Sequence, residues 1–388
     1  MSHPEKFHAK TLKGLEQLLA DELLELGAER TEVVNRGVNF YGGRAMLYRA
    51  NVASRLSLRI LLPIQRFRAE DPETLYRKVK EYDWSLHLDN RMTFAIDAVT
   101  FSPIFKNSHY VALKVKDAIA DRFRDRTHLR PSVNREHPDL LVNVHISGKE
   151  VTISLDSSGG SLHRRGYRTG TFEAPLNEVL AAGMVMATGW KGERPFIDPM
   201  CGSGTLAIEA AMIAAGIPPG LFRKQYGFEH WKDFDRDLME HVVRQLPREK
   251  KVSVPIIARD ADREAVKLTR QQLRQMQLED AVTLEVRDFK GSEGPPDGAT
   301  IVMNPPYGER MDAGHIGSLY SMIGTTLKHG YPGSDAWILS SSREGLRHIG
   351  LKPERKMVLF NGALECLYVN YRTFSGRWKE FKSSETTG

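Results

Sequence analysis

Four polar side chains each end a short apolar run in the C-terminal half of the chain: Asp198, Asp260, Asp288 and Asn304. If these runs are parallel strands, their carboxyl ends lie at one edge of a sheet, where ligands bind in open α/β folds. Three acids at one edge favour a ligand that carries hydroxyl groups and a positive centre. Asp is also common in turns, but that interpretation explains one such residue better than three in register.

A glycine-rich segment, DPMCGSGT at 198–205, follows the first run and leads into a helix pattern. Gly202 and Gly204 permit a tight turn and a close approach of the backbone to a ligand, which the N–H groups of the next helix can bind. Neither a Gly-Lys-Ser/Thr nor a Gly-x-Gly-x-x-Gly pattern is present, so the ligand need not be a phosphate. Asp260 is placed to bind ribose hydroxyls, and Asp288 an adenine amine. S-adenosylmethionine fits this description.

The fourth run is followed by Asn304, Pro305, Pro306 and Tyr307. The prolines have no N–H group and fix φ, which leaves backbone carbonyls directed outward. The side-chain oxygen of Asn304 and a neighbouring carbonyl can accept both hydrogens of an exocyclic amine and hold its nitrogen toward an electrophilic methyl group. Tyr307 can stack on the base, an interaction worth about 1–3 kcal/mol. The segment therefore predicts methyl transfer to an exocyclic amine.

Strand-like runs alternate with helix patterns from residue 180 onward, which is typical of a parallel sheet flanked by helices. The runs lie at 194–198, 255–260, 282–288, 300–306 and 335–342, and the helix patterns at 206–216, 262–277 and 315–330. Two final β-rich runs within 356–374 are joined by Asn361-Gly362, a hairpin signal. We predict an α/β fold with a Rossmann-like sheet, parallel except for a final antiparallel hairpin.

The N-terminal half has the mixed pattern of smaller α+β modules. Helix patterns lie at 13–29 and 109–127, and β-rich runs at 92–101 and 139–159. The segment 157–177 is rich in Gly, Ser and Arg, so we expect a linker there.

The bulk composition narrows the class of protein. A chain of 388 residues suggests two or three domains. No apolar run approaches the roughly 18 residues of a membrane span, and the N-terminus has no leader pattern, so we expect a cytoplasmic protein. Two cysteines and irregularly spaced histidines predict no disulfide framework and no metal site.

The net charge of +6 lies entirely within residues 1–170. An excess of basic residues in one part of the chain favours a polyanionic partner such as RNA, although a modest excess also aids solubility.

Motifs along the chain resemble the THUMP-containing class I RNA methyltransferase family that is related to the N-terminal half of RlmL. They are KGLEQLLADEL, YRANVASRLSLRIL, VKDAIADRFR, RPSVNREHPDLLVNVHISG, HRRGYR, APLNEVLAAG, DPMCGSGTLAIEAAMIAAGIPPG and MNPPYGER. The resemblance covers nearly the whole chain. It implies an N-terminal ferredoxin-like module at 1–65, a THUMP RNA-binding domain at 66–160 and an S-adenosylmethionine-dependent methyltransferase domain at 161–388.

The resemblance also implies roles for individual residues. The implied cofactor residues are Asp198, Met200, Cys201, Gly202, Ser203, Gly204, Thr205, Asp260, Ala261, Asp288, Phe289 and Asn304. The residues that would position the target amine are Asn304, Pro305, Pro306 and Tyr307. The candidate RNA contacts are Lys114, Lys116, Arg130, Arg164, Arg165 and Arg310. No basic group adjoins Cys201 in the sequence, so we interpret its thiol as a packing group.

An insert at 222–251 separates the glycine-rich segment from the second strand-like run. Trp231, Phe234 and Leu238 lie at helical spacing within it, which predicts a local core.

The function that these observations predict is transfer of a methyl group to the exocyclic N2 of a guanine in large-subunit (23S) ribosomal RNA. A guanine-N2 methyltransferase of transfer RNA and an adenine-N6 methyltransferase of DNA remain alternatives, because the Asn-Pro-Pro-Tyr segment binds any exocyclic amine. A non-catalytic RNA-binding assembly factor is a fourth alternative, although the intact segment speaks against it.

Overall fold

The computed structural model of the protein describes residues 4–168, 175–247, 250–306 and 313–374. The chain divides into two compact units. The first takes residues from 1–11, 19–162 and 223–246, and the second from 12–18, 163–222 and 247–388. Each unit is built on a β-sheet of its own.

The strands and helices follow one another along the described residues. The strands are β1 (Glu5–Lys10), β2 (Arg30–Val34), β3 (Gly37–Gly42), β4 (Arg59–Arg68), β5 (Thr93–Phe101), β6 (Ser132–Val133), β7 (Leu140–Ser147), β8 (Glu150–Asp156), β9 (Phe196–Asp198), β10 (Ile256–Asp260), β11 (Thr283–Val286), β12 (Thr300–Met303), β13 (Asp335–Ser340), β14 (Pro353–Asn361) and β15 (Leu364–Arg372). The helices are α1 (Glu16–Glu25), α2 (Arg44–Ala53), α3 (Pro72–Glu81), α4 (Ser108–Thr127), α5 (Glu178–Ala187), α6 (Thr205–Ala215), α7 (Arg236–Gln245), α8 (Arg263–Gln275), α9 (Ala313–Gly330) and α10 (Arg343–Arg347).

The sheet of the first unit has eight strands in the order β2-β3-β1-β4-β8-β7-β5-β6. Its first four strands follow the β1-α1-β2-β3-α2-β4 succession of a ferredoxin-like module. Strand β4 pairs with β1 on one side and with β8 on the other. The predicted boundary between residues 65 and 66 therefore lies inside β4, and the two N-terminal modules share one continuous sheet.

Side-chain caps fix where the helices of the first unit begin. Asp71 accepts a 2.7 Å hydrogen bond from the Thr74 N–H, with proline in the first turn of α3. Asn107 accepts one from the Tyr110 N–H at 3.1 Å and so begins α4. These acceptors satisfy N–H groups that have no partner within the helix. The helix predicted at 109–127 is confirmed to within one residue.

The insert contributes aromatic residues to the first unit. The Phe228 ring stacks on Tyr48 of α2 with a centroid distance of 4.5 Å, and Phe234 lies 5.9 Å from the same tyrosine. Lys232 donates to the carbonyl oxygens of Ser85 and Leu88, at 3.0 Å each. The predicted local core is thus part of a larger one, because the aromatic rings of the insert pack on α2 as well as on one another.

The second unit has a seven-stranded sheet in the order β11-β10-β9-β12-β13-β15-β14. The first five strands of that order are parallel, and β15 is antiparallel to both β13 and β14. All three residues of β9 are buried, as expected for a strand covered by helices on both faces. This sheet confirms the predicted Rossmann-like class with its final antiparallel hairpin.

The segment expected to be a linker contains buried residues where it is described. Ser157 and Ser158 have no exposed surface, and Arg165 and Tyr167 are 2% and 1% exposed. The serine hydroxyls explain how such a polar segment can be buried: Ser157 donates to the Ile60 carbonyl at 2.8 Å and Ser158 to Asn51 Oδ1 at 2.8 Å. Of the helices in the described ranges, none has the length and apolar character that crossing a membrane requires.

Two glycines of α9 provide a stability test. A Cβ atom at Gly324 would lie 1.7 Å from the carbonyl oxygen of Ile349, whereas one at Gly317 would meet only His348, at 3.4 Å. We expect Gly324→Ala to lower the free energy of unfolding by ~2 kcal/mol or more, because backbone must move. Gly317→Ala should leave it unchanged or raise it by up to ~1 kcal/mol, since alanine is the better helix former. Urea unfolding followed by circular dichroism measures both, and equal effects would contradict this packing.

Candidate active site

The polar residues that end the predicted strands lie at one edge of the second sheet. Asp198 is the last residue of β9, Asp260 is the last residue of β10, and Asn304 directly follows β12. Strand β9 pairs in parallel with both β10 and β12, so their carboxyl ends point the same way. Asp288 follows β11 at the same edge. The strand order reverses around β9, which is where α/β folds bind ligands.

The glycine-rich loop after β9 is tied to its neighbours by backbone hydrogen bonds. The Cys201 N–H donates to the Arg259 carbonyl at 2.8 Å, and the Gly202 N–H donates to Asp260 Oδ2 at 2.8 Å. The hydroxyl of Thr269, on α8, lies 3.0 Å from the Gly202 carbonyl and 3.0 Å from the Ala265 carbonyl. The loop is therefore held in place by β10 and α8.

The two loop glycines are required for different reasons. Gly204 has a φ of 77°, and a Cβ atom there would lie 2.3 Å from Thr269 Cγ2. Gly202 also has a positive φ, of 53°, but no atom lies within 4 Å of its Cβ position. Gly204 therefore allows the loop to pack on α8, while Gly202 leaves open space beside the loop for a ligand.

Asp198 is a buried carboxylate that the surrounding protein compensates only weakly. Its side chain has no exposed surface, and neither oxygen has a partner in hydrogen-bonding geometry among the described residues. Burial raises the pKa of this carboxyl well above its ordinary value, and the charge of Asp260 raises it further, while the Met200 N–H lowers it by a smaller amount. Such a group favours a ligand that brings hydrogen-bond donors and positive charge.

The other two acids are partly satisfied by the backbone. Asp260 accepts from the Gly202 N–H and, at 3.0 Å, from the Asp262 N–H, and its oxygens keep lone pairs for a ligand. Asp288 is exposed and accepts from the Lys290 N–H at 2.9 Å. The next residue, Phe289, is buried against Tyr331, with ring centroids 5.5 Å apart, and so fixes the segment that carries Asp288.

Asn304 presents an acceptor that no described residue uses. Its Oδ1 atom is buried and has no hydrogen-bond partner among those residues. Pro305 is buried and Pro306 is exposed, so the peptide after Asn304 turns from the interior to the surface. Tyr307 and Arg310 lie outside the described residues.

The remaining loop residues are mostly buried. Met200 packs against the core of the second unit, Ser203 and Thr205 are buried with their hydroxyl oxygens 3.4 Å apart, and Ala261 is exposed. Burial raises the pKa of the Cys201 thiol well above its ordinary value, and the charges of Asp198 and Asp260 raise it further. A thiol with so high a pKa is not a nucleophile, which agrees with the packing interpretation.

A buried ion pair behind the loop was missed by sequence reasoning. Arg165 Nε lies 3.3 Å from Glu209 Oε1, and the two side chains are 1% and 0% exposed. Glu209 belongs to α6, the helix that follows the loop. The sequence offered one signal, a glutamate inside the otherwise apolar pattern of α6.

The predicted RNA contacts have different surroundings. Lys114 pairs with Glu73 at 2.5 Å, Lys116 with Asp117 at 2.8 Å, and Arg130 with Asp121 at 3.1 Å. Arg164 is exposed and lines a basic cavity of about 400 Å³. The burial of Arg165 beside Glu209 disfavours a direct RNA contact and indicates a structural role. Within the described ranges no three His, Cys, Asp or Glu side chains group as metal ligands.

Three models of known protein families match successive parts of the chain. Residues 6–61 match the RlmL ferredoxin-like domain, 69–156 match the THUMP domain, and 165–370 match the RMKL-like methyltransferase domain. The chain belongs to the RMKL-like methyltransferase domain family. These matches and the fold confirm the family that the motifs resemble.

Similar proteins cover almost the whole chain. The ribosomal RNA large subunit methyltransferase K/L of Syntrophotalea carbinolica is 39% identical over 96% of this chain and 54% of that protein. A putative RNA methyltransferase of Synechocystis is 37% identical over 95% of this chain and 97% of that protein. A crystal structure of a putative methyltransferase complexed with SAH is 28% identical, with a TM-score of 0.87, over 97% of this chain and 100% of that one. The chain spans about half the length of the K/L relatives.

Thr269 gives a test of the loop geometry. Thr269→Val keeps the shape of the side chain but removes the hydroxyl that donates to the loop, so the affinity for S-adenosylmethionine, the ligand predicted from the sequence, should fall about fivefold. Thr269→Ser, the matched control, keeps the hydroxyl and should bind as the wild type does. Isothermal calorimetry measures both affinities, and unchanged affinity in the valine variant would contradict a role for this hydrogen bond.

Proposed function

We propose that the chain transfers a methyl group from S-adenosylmethionine to the exocyclic N2 of a guanine in large-subunit ribosomal RNA. The observation that carries the proposal is that two polar groups without hydrogen-bond partners among the described residues lie at one edge of the sheet. They are the buried carboxylate of Asp198 and the Oδ1 acceptor of Asn304. The first suits a cationic cofactor and the second suits an amine. The THUMP match supports RNA as the polymer that carries the amine.

The residues at the sheet edge fit S-adenosylmethionine. When bound, this cofactor supplies an electrophilic methyl group. Asp198 would offset its positive charge, Asp260 would accept from the ribose hydroxyls, and Asp288 would accept from the adenine amine. Gly202 leaves the open space that a closely bound nucleoside needs. Because Asp198 is desolvated, its interaction with a cation is stronger than in water.

Asn304 would position the reacting amine. Its Oδ1 atom and an adjacent backbone carbonyl accept hydrogen bonds from the two N–H groups of the exocyclic amine. These hydrogen bonds fix the direction of the nitrogen lone pair. The amine needs no strong base beforehand, because the nitrogen becomes acidic only after it gains the methyl group. Pro305 and Pro306 limit the rotation of this peptide. We assign Tyr307 to stacking on the base and Arg310 to an RNA phosphate.

The proposal names guanine N2 as the methyl acceptor and large-subunit RNA as the substrate. Support comes from the K/L relatives, which are named as ribosomal RNA large subunit methyltransferases. A guanine-N2 enzyme of transfer RNA and an adenine-N6 enzyme of DNA use the same amine chemistry. We assign RNA delivery to residues 1–160 and methyl transfer to 161–388. An RNA substrate of this kind would place the protein in the cytoplasm.

The direct experiment incubates the purified protein with methyl-labelled S-adenosylmethionine and with total RNA and DNA from a strain that lacks the gene for this protein. Mass spectrometry of the digested nucleosides should find the label in N2-methylguanosine of large-subunit RNA. Label in transfer RNA or in N6-methyladenine of DNA would instead establish one of the alternatives. Cofactor binding without label in any nucleic acid would favour a non-catalytic assembly factor.

Substitutions of Asn304 test its role. Asn304→Ala removes the acceptor and should lower the rate of methyl transfer about a hundredfold through lost orientation of the amine. Its affinity for S-adenosylmethionine should stay close to that of the wild type, because the cofactor depends mainly on the loop and the acids. Asn304→Asp keeps an acceptor oxygen and should retain part of the activity. A large loss of cofactor affinity in the alanine variant would remove Asn304 from its assigned role.

A further inference from the structure

A cavity in the first unit lies at an open edge of the sheet. Strand β5 pairs with β6 only at Thr93 and Phe94. From Ala95 onward, that edge of β5 has no strand paired with it in the described part of the chain. A cavity of about 380 Å³ adjoins this edge at Ala95, Ile96 and Asp97, and residues of β4, β7, α4 and the segment that follows Pro131 also line it. Unpaired backbone groups at such an edge are available to bind another molecule.

Three cations from three separate elements converge on this cavity: Arg59 of β4, Lys116 of α4, and Arg135 after β6. Arg59 pairs with the buried Asp156, and Lys116 pairs with Asp117. Arg135 is exposed and has no ion pair or side-chain hydrogen bond among the described residues. Its guanidinium is therefore available to bind an anion, and a planar guanidinium suits a phosphate.

The rest of the lining is apolar apart from two groups. Ala112, Leu113 and Val133 provide apolar surface, and Val133 is 47% exposed. Asp97, the acid in the lining, already accepts from Asn143 Nδ2 at 3.3 Å. His109, the other polar group, is exposed on the first turn of α4. A cavity with an apolar wall, an open strand edge and a free cation at its rim suits an unstacked base with its phosphate.

We propose that this cavity, defined by Arg135, Lys116, Ala112 and the edge of β5, binds one unpaired nucleotide of the RNA substrate. Arg135 and Lys116 contact the phosphate, the base lies against the apolar wall, and backbone groups of β5 face the edge of the base. This inference rests on the proposed function, since it takes RNA as the substrate. It also separates Lys116, which lines the cavity, from Lys114 and Arg130, which do not.

Binding of a fluorescent single-stranded RNA oligonucleotide to the full-length chain tests the proposal. Arg135→Ala should weaken binding about tenfold, because it removes a charged phosphate contact. The matched control is Arg126→Ala, which removes the same charge from an exposed arginine of α4 that pairs with Asp83 at 2.8 Å. It should change the affinity far less.

A second variant tests the base rather than the phosphate. Ala112→Phe fills the cavity without a change of charge, and thermal unfolding checks that it is folded. It should weaken oligonucleotide binding while the dependence of affinity on salt stays that of the wild type, because the number of phosphate contacts is unchanged.

The outcomes separate this inference from the proposed function. If Arg135→Ala and Arg126→Ala weaken RNA binding equally, or if Ala112→Phe binds as the wild type does, the nucleotide site is overturned while the methyltransferase proposal stands. If adenosine monophosphate binds the cavity as tightly as the oligonucleotide, the site belongs to a free nucleotide and the proposal is also overturned. A wild-type chain that binds no RNA would overturn both.

Discussion

The buried carboxylate of Asp198 is the constraint on which the site depends. It ends the central strand β9 with no exposed surface and with no hydrogen-bond partner among the described residues. An ionised acid in that position costs folding free energy unless a ligand compensates it. The fold holds it at the end of a strand whose three residues are all buried, and we propose that the benefit is a strong, directed interaction with a cationic ligand that carries its own hydrogen-bond donors.

The surrounding structure keeps other groups from satisfying that carboxylate. Two loop N–H groups donate elsewhere: Cys201 to the Arg259 carbonyl and Gly202 to Asp260. The Thr269 hydroxyl fixes the same loop by donating to the Gly202 carbonyl. The loop is therefore held open beside Asp198, so that binding a ligand need not be preceded by rearrangement of the backbone. Preorganisation of this kind lowers the entropy cost of binding.

The sequence predicted the second unit well because its signals are local. The acids at strand ends, the glycines and the Asn361-Gly362 turn each act on backbone that is close to them in the sequence. The periodicity of apolar residues and the spacing of these motifs were therefore sufficient to predict the sheet of this unit. The burial of Arg165 against Glu209 and the packing of Phe228 on Tyr48 were not predicted, because both join residues far apart in sequence. Arg135 was missed for a related reason: a lone exposed arginine has no local signal, and the role that we propose for it depends on a cavity that distant segments form.

The pH dependence of unfolding, compared between the ligand-free wild type and Asp198→Asn, shows whether the carboxylate of Asp198 is uncompensated. A carboxyl whose pKa is raised in the folded state contributes stability that is fully present below its unfolded pKa and is lost as pH rises through the folded value. Asparagine resembles the neutral acid at every pH. We expect the variant to gain stability relative to the wild type as pH rises. A difference that is independent of pH, or one that favours the wild type at high pH, would show instead that the protein compensates the charge of Asp198.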